Sequence, residues 1–425
     1  AMRKFTSWPA LCRTAEALAA KRLARPAAAY SSRAPTLVKT GNDTLSVQWP
    51  DRPTSEFNYT WLLHNCACAL CQDASSGQKT LGTHIGMRHP VAPPSRVIDN
   101  SEEETITVQW KDHTSKFTYE WLRANCFNFH SSPAAMERRR PITWLAKDMP
   151  EVPTFQYKEV VESESSLGAW MDAIHETGVA LLKEVPHNTQ EILTVANKVG
   201  PAMPTIYGET FDVRSEEAAI NIAYTATELD FHMDLCYYEE PPGIQLLHCL
   251  EQAAVGGESV LADSFAAAFA LRKEQPEHFD ALTRIPLTFH KHHDTAMMKY
   301  RRPMFAVDPL TKELHSIFYS PQFEGPLFAG AEDAKAFYDA YGAFVRELKD
   351  EKYLHQFKMG PGDLMAFNNR RVLHGRKSFD PCSGSRHLRG TYVSMNDFAN
   401  RVRTYKRDVA GDKDFVLRGI GNACT

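Results

Sequence analysis

The chain has no stretch approaching the roughly 20 consecutive apolar residues that a membrane-spanning helix needs, so no transmembrane segment and no membrane partner is expected. No long basic stripe follows residue 40, which argues against a nucleic-acid partner. A secretory apolar segment is also lacking, and the nine cysteines are an odd number in a 425-residue chain. A disulfide framework is therefore not expected, and a reducing compartment is. What is present, 43% hydrophobic and 24% charged residues with a formal charge of −4, is the ordinary mix of a globular protein large enough for two domains.

Charge is unevenly spread. Residues 1–34 carry Arg3, Lys4, Arg13, Lys21, Arg22, Arg25 and Arg33 against the single acid Glu16, and are rich in alanine. Basic, small-residue, acid-poor composition reads as an organelle transit peptide, with delivery to the mitochondrial matrix expected. A plain basic tail on a cytoplasmic protein is the alternative. Either way the segment is set aside from the fold.

An internal repeat follows. Thr44–Cys66 reads TLSVQWPDRPTSEFNYTWLLHNC, and Thr105–Cys126 reads TITVQWKDHTSKFTYEWLRANC. Each copy suggests a strand with alternating apolar positions, a polar turn, a second strand and the start of a short helix. Two copies are too few for a solenoid. A small pseudo-symmetric β-rich domain over residues 36–130 is expected. Pro133 to Pro153 then reads as a linker, punctuated by Pro141, Pro150 and Pro153.

From residue 154 to 425 the pattern changes. Helical stretches are expected at Leu167–Glu176, Gln190–Val199, Ser264–Leu282 and Ala331–Leu348. Short β-like runs lie at Val179–Leu182, Ile244–Leu250, Ile285–Phe289, Pro303–Val307, Leu314–Tyr319, Asp363–Phe367 and Leu388–Val393. The strands cluster with helices between them at only a few points. This points to a mainly β, α+β jelly roll with flanking helices rather than a parallel sheet of βαβ units. A terminal amphipathic helix is expected from Asn396, either as an interface or as a solvated end.

The chemistry concentrates in Phe231-His232-Met233-Asp234. On extended chain, side chains two apart point to one side, so His232 and Asp234 could reach one metal. A third ligand is needed, and His374 in Val372-Leu-His-Gly375 is a candidate. Two histidines and one carboxylate on one face of an octahedral iron leave positions open for O₂ and a bidentate oxo-acid. Alone, an H-x-D pair is a weak signal, since most are surface pairs. Arg386 lies twelve residues after His374, where it could return on the next strand and clamp the distal carboxylate of an oxo-acid. Gly256-Gly257-Glu258-Ser259 is a tight turn whose Ser259 hydroxyl could add a hydrogen bond to that carboxylate; by itself it reads as a hairpin turn.

Taken together, the order H-x-D, G-G-x-S, L-H-G-R, S-R-H-L resembles the γ-butyrobetaine and trimethyllysine hydroxylases of carnitine biosynthesis. The resemblance runs from about residue 40 onward and includes Ile206-Tyr-Gly208, Asn221-Ile-Ala-Tyr-Thr225, Pro241-Pro-Gly-Ile-Gln-Leu-Leu-His-Cys249 and Asn369-Arg-Arg-Val-Leu-His-Gly-Arg376. It implies a double-stranded β-helix behind a small zinc-binding domain. It implies Fe(II) held by His232, Asp234 and His374, 2-oxoglutarate held by Arg386, O₂ as co-reactant and ascorbate as reductant. No side chain beyond the iron ligands is expected to act catalytically. Cys66, Cys68 and Cys71 are spaced to share one Zn²⁺, and the resemblance supplies His113 as the fourth ligand, with His64, His84 and His89 as nearby alternatives. Three reduced thiols in a small core are the plainer reading.

The resemblance also implies a box of aromatic faces for a trimethylammonium group, which cannot donate hydrogen bonds. The matching positions are Tyr207, Phe211, Tyr224 and Tyr392. Phe211 stands where the family usually has Trp, a stronger cation–π partner. Asn221 matches an Asn that contacts substrate in the γ-butyrobetaine enzymes, where trimethyllysine enzymes tend to carry Asp. The Asn-rich segment that grips the substrate carboxylate in the family is absent near Phe318-Tyr319-Ser320-Pro321. The expected activity is hydroxylation of γ-butyrobetaine to carnitine. Trimethyllysine or another quaternary ammonium acid is the alternative substrate, and a catalytically silent metal-binding protein is the alternative class. A homodimer is expected by analogy.

Overall fold

The computed structural model describes residues 34–80, 91–111, 113–130, 140–214, 225–293, 296–309 and 311–411. The expected transit segment, His84, His89, Asn221 and Tyr224 lie outside them. The chain forms two compact units, Ala1–Glu137 and Arg138–Thr425.

In the first unit each repeat becomes three antiparallel strands and a short helix. The first copy has β1 (Leu37–Thr40), β2 (Thr44–Gln48), β3 (Ser55–Asn58) and the helix Tyr59–His64. The second has β4 (Arg96–Asn100), β5 (Thr105–Gln109), β6 (Thr114–Thr118) and the helix Tyr119–Ala124. The shared sequence frame explains the shared fold. Trp49 Nε1 donates to Ser55 Oγ at 2.8 Å, and Trp110 Nε1 donates to Ser115 Oγ at 3.0 Å. Asn58 and Thr118 cap their helices through side-chain oxygens. The copies share one core: Trp49 packs edge-on to Tyr119 and Tyr59 edge-on to Trp110. Phe57, Trp61, Trp121 and Phe117 form a ladder with neighbouring rings 5.2 to 5.5 Å apart. Neither copy alone could bury these faces.

The second unit is built on two sheets. The larger runs β7 (Thr154–Gln156), β8 (Val179–Lys183), β19 (Leu364–Asn368), β11 (Ile244–Gln252), β22 (Arg386–Val393) and β9 (Thr210–Val213). The smaller runs β10 (Leu229–His232), β20 (Val372–Arg376), β13 (Ser259–Asp263) and β18 (His355–Phe357). All pairings in these two sheets are antiparallel except β7 with β8. Alternation along β11 sorts its side chains. Ile244 and Leu246 pack with Trp170, Ile174 and Phe398 of the helices Glu164–Thr177 and Met395–Asp408. Leu247 and Cys249 pack with Leu261 of the facing sheet. This is the double-stranded β-helix with flanking helices.

Two readings of the pattern need correction. Ser264–Leu282 is not one helix but two, Ser264–Glu274 and Pro276–Arg284, because Pro276 cannot donate its backbone hydrogen bond and begins a new helix instead. The described part of the expected linker is packed: Trp144, Met149 and Val152 are buried. Asp263 anchors it, accepting from Trp144 N at 3.1 Å while pairing with Arg371 Nε at 3.1 Å and Nη2 at 2.7 Å. Both charges are fully buried, and Arg371 also donates to the carbonyls of Ile142 and Glu176. This pair locks the start of β20, the strand that carries His374.

Candidate metal centre and its surroundings

β10 and β20 are neighbours, and His232 pairs with His374 in their register. The ring centroids are 4.2 Å apart. Asp234 lies beyond the end of β10, so strand alternation is not what aims it. Its backbone is held instead by Asn369: Asp234 N donates to Asn369 Oδ1 at 2.9 Å, and Asn369 Nδ2 donates to Asp234 O at 3.1 Å. Leu235 follows with φ of 59°, a left-handed turn that side chains other than Gly seldom adopt. Asp234 Oδ1 thereby lies 3.3 Å from His232 Nε2, and Oδ2 3.9 Å from His374 Nε2. One ligand atom from each of the three residues lies within 4.8 Å of the others.

The surroundings fix these atoms. His232 Nδ1 donates to Asp230 O at 2.9 Å, which leaves Nε2 as the lone-pair nitrogen. Tyr392 on β22 donates its hydroxyl to Asp234 Oδ2 at 2.8 Å. Burial pushes His374 down to about 3, so its imidazole is neutral near pH 7. Burial alone would raise Asp234, but His232, His374 and Tyr392 hold it well below the usual carboxylate range. Two imidazoles and an ionised carboxylate are a donor set suited to a divalent transition metal with open positions. The residues therefore fit the iron that the sequence implies.

Arg386 starts β22 and is buried. Among the described residues no carboxylate pairs with it, and its Nε has no hydrogen-bond partner. Burial lowers its pKa to about 10, still well above neutrality. A buried cation without a counter-charge is costly, and an incoming carboxylate would supply one. Gly257 makes room for it: φ is +72°, and a Cβ there would sit 3.2 Å from Arg386 Nε. Ser259 is buried at the start of β13, opposite Arg376.

Of the expected aromatic box, Tyr207, Phe211 and Tyr392 are gathered. Phe211 stacks on Tyr392 with centroids 5.1 Å apart, and Tyr207 is 6.4 Å from Phe211. The Phe211 ring also lies over Gly390, its register partner, where a Cβ would approach it to 2.2 Å. One supporting residue was missed: Asn369, which holds the Asp234 backbone. Asn369 opens the Asn369–Arg376 stretch that carries part of the resemblance, but only its contact with the Asp234 backbone reveals its role.

A second cluster lies in the first unit. Cys66, Cys68, Cys71 and His113 each present one donor atom within 4.8 Å of the others. His113 Nε2 is 3.2 Å from Cys66 Sγ, 3.7 Å from Cys68 Sγ and 3.5 Å from Cys71 Sγ. Burial, then charge on Cys66 and the bond to Cys68, push the Cys71 thiol up to about 12. Three thiols and an imidazole this close are spaced to share one cation. His113, rather than His64, completes the set.

Comparison with known proteins decides the family. Residues 139–392 match the model of the "Taurine catabolism dioxygenase TauD, TfdA family". The chain belongs to the TauD/TfdA dioxygenase family. Residues 37–123 further match "Gamma-butyrobetaine hydroxylase-like, N-terminal". The chain is 31% identical to the gamma-butyrobetaine dioxygenase of Pseudomonas sp. (strain AK-1), over 85% of this chain and 94% of the relative. It is 27% identical to that of Homo sapiens, over 87% and 96%. It is 28% identical to the mitochondrial trimethyllysine dioxygenase of Bos taurus, over 82% of each. As a TauD/TfdA dioxygenase the chain is an oxidoreductase, with the two-sheet fold expected from its strand pattern. No helix among the described residues is long and apolar enough to cross a membrane.

Proposed function

We propose that this chain hydroxylates a trimethylammonium acid, γ-butyrobetaine, at an unactivated C–H bond to give carnitine, using Fe(II), 2-oxoglutarate and O₂. The observation that carries this is the convergence of His232, Asp234 and His374 in a unit that also buries Arg386, which has no carboxylate partner among the described residues. His232, Asp234 and His374 would hold Fe(II). Arg386, with Ser259, would hold the distal carboxylate of 2-oxoglutarate. When bound, the metal and oxo-acid supply O₂ activation. The chain's own contribution is placement: Asn369 and Tyr392 fix Asp234, Asp230 O fixes the His232 tautomer, and burial keeps water away. Tyr207, Phe211, Tyr224 and Tyr392 would face the trimethylammonium group, with Asn221 toward the rest of the substrate. No side chain has to accept or donate a proton.

Similarity to gamma-butyrobetaine dioxygenases over most of the chain supports the substrate. The test is turnover with Fe(II), ascorbate and 2-oxoglutarate, reading succinate and hydroxylated product by mass spectrometry. γ-Butyrobetaine is expected to be consumed in preference to trimethyllysine. The reverse preference would transfer the assignment to trimethyllysine, and no succinate with either would defeat the reading. The basic segment at residues 1–34 supports delivery to the mitochondrial matrix, and a homodimer is the expected assembly.

Cys66, Cys68, Cys71 and His113 would hold a structural Zn²⁺, with all four positions filled by protein. Cys66→Ser is expected to take bound zinc from about one per chain to near none and to open residues 37–123 to proteolysis. Elemental analysis and limited proteolysis check this; zinc retained by the variant would count against it.

A further inference from the structure

Three residues after Asp234, Tyr237 is buried at 1% exposure. Its hydroxyl lies 3.3 Å from the hydroxyl of Tyr207. A buried tyrosine hydroxyl usually finds a partner, and here the partner is another box hydroxyl. Asp234, Tyr207 and Tyr392 all lie within electrostatic reach of Tyr237. Phe323 packs edge-on against its ring at 5.1 Å. The next residue, Tyr238, accepts a hydrogen bond on its hydroxyl from Ile206 N at 2.8 Å. It therefore grips the turn that carries Tyr207. That turn is closed by Thr205 N to Gly208 O at 3.0 Å and Gly208 N to Thr205 O at 2.9 Å, with Gly208 at φ +93°. Tyr238 is itself fixed from behind: Arg302 donates to the carbonyls of Tyr238 and Glu239, and its guanidinium lies over the rings of Tyr300 and Phe318. The left-handed Leu235 is what turns this segment from the metal ligand toward the Tyr207 turn.

We propose that Tyr237 is a specificity-determining residue, an aromatic wall of the trimethylammonium pocket, and that Tyr238 positions the turn presenting Tyr207 to that pocket. The inference rests on the proposed trimethylammonium substrate and extends it to two residues beyond the expected box. It joins the substrate wall to the Asp234 segment within five consecutive residues.

The test compares γ-butyrobetaine with 5,5-dimethylhexanoate, an isostere that keeps the carboxylate but lacks the cation, because carbon replaces the quaternary nitrogen. KM for the first and the inhibition constant of the second are measured for the wild type and for Tyr237→Leu, Tyr237→Phe and Tyr238→Phe. Tyr237→Leu is expected to raise the γ-butyrobetaine KM about ten-fold while changing the isostere's constant little, because the lost face stabilises charge. Tyr237→Phe keeps the ring and most of the preference. Tyr238→Phe, which leaves Ile206 N without its acceptor, is expected to raise the γ-butyrobetaine KM several-fold. KM for 2-oxoglutarate stays at the wild-type value throughout and shows that the variants are folded; should Tyr237→Leu fail to fold, Tyr237→Met makes the same comparison. Equal weakening of both compounds, or a γ-butyrobetaine KM within two-fold of wild type, would overturn the inference. Failure of the substrate reading itself looks different: the wild type then shows no turnover of γ-butyrobetaine and no preference for the compound with the quaternary ammonium, and this inference falls with it.

Discussion

Asp234→Ala and His374→Ala are each expected to lower turnover by more than about 100-fold, the upper range of loss when merely a supporting residue of a metal site is changed. The reason is geometric. The three donor atoms come from β10, the turn after it, and β20; Asp230 O holds His232, Tyr392 holds Asp234, and the strand register sets His374 opposite His232. Removing one leaves two, too few to hold a labile divalent ion at a defined orientation. Bound iron after anaerobic loading is expected to fall with activity. The variants should retain the wild-type far-UV circular dichroism, because the Asn369 clamp on the Asp234 backbone does not depend on the carboxylate. Variants that kept full iron and near-normal turnover would remove these residues from the centre.

Arg386→Gln is expected to raise the KM for 2-oxoglutarate by about 100-fold or more, the consequence of deleting one partner of a buried charge pair. Arg386→Lys should recover only part, since an ammonium lacks the planar fork that meets a carboxylate with two hydrogen bonds. A second consequence runs in the opposite direction. In the free protein Arg386 is a buried cation with no carboxylate partner among the described residues. Replacing it by a neutral side chain should therefore not lower Tm in the absence of 2-oxoglutarate, and should raise it modestly. Adding 2-oxoglutarate with the metal should raise Tm of the wild type by mass action and leave Arg386→Gln unmoved. A variant that melts earlier and still responds to 2-oxoglutarate would assign Arg386 a purely structural part.

Much of the fold was legible because burial imposes a period. The repeat from Thr44 and Thr105 announced two matching strand–helix units, and Val179–Leu182, Ile244–Leu250 and Leu388–Val393 fall within observed strands. The strand Ala296–Pro303, which pairs antiparallel with Pro286–His293, was missed, because its run AMMKYRRP is rich in basic residues and half exposed, so no apolar alternation marks it. Proline broke the long helix at Pro276, a local rule outweighed by the apolar periodicity on either side. In the site, the three residues that the structure brings together were legible, but the means of placing Asp234 was not. Sequence spacing suggested a strand, whereas Asn369, 135 residues away, and the positive φ of Leu235 do the positioning. Contacts of that separation leave no periodic trace in a single chain. The same holds for Tyr237 and Tyr238, which read as ordinary aromatics until the Tyr207 turn is brought against them.

The most direct measurement is anaerobic titration of the protein with Fe(II) and 2-oxoglutarate, followed by visible absorption. Chelation of the ferrous ion by the oxo-acid inside the pocket should produce a charge-transfer band of one equivalent per chain, absent in Asp234→Ala and appearing only at much higher 2-oxoglutarate in Arg386→Gln. A wild-type protein that develops no band, or a band that survives loss of Asp234 unchanged, would contradict the account.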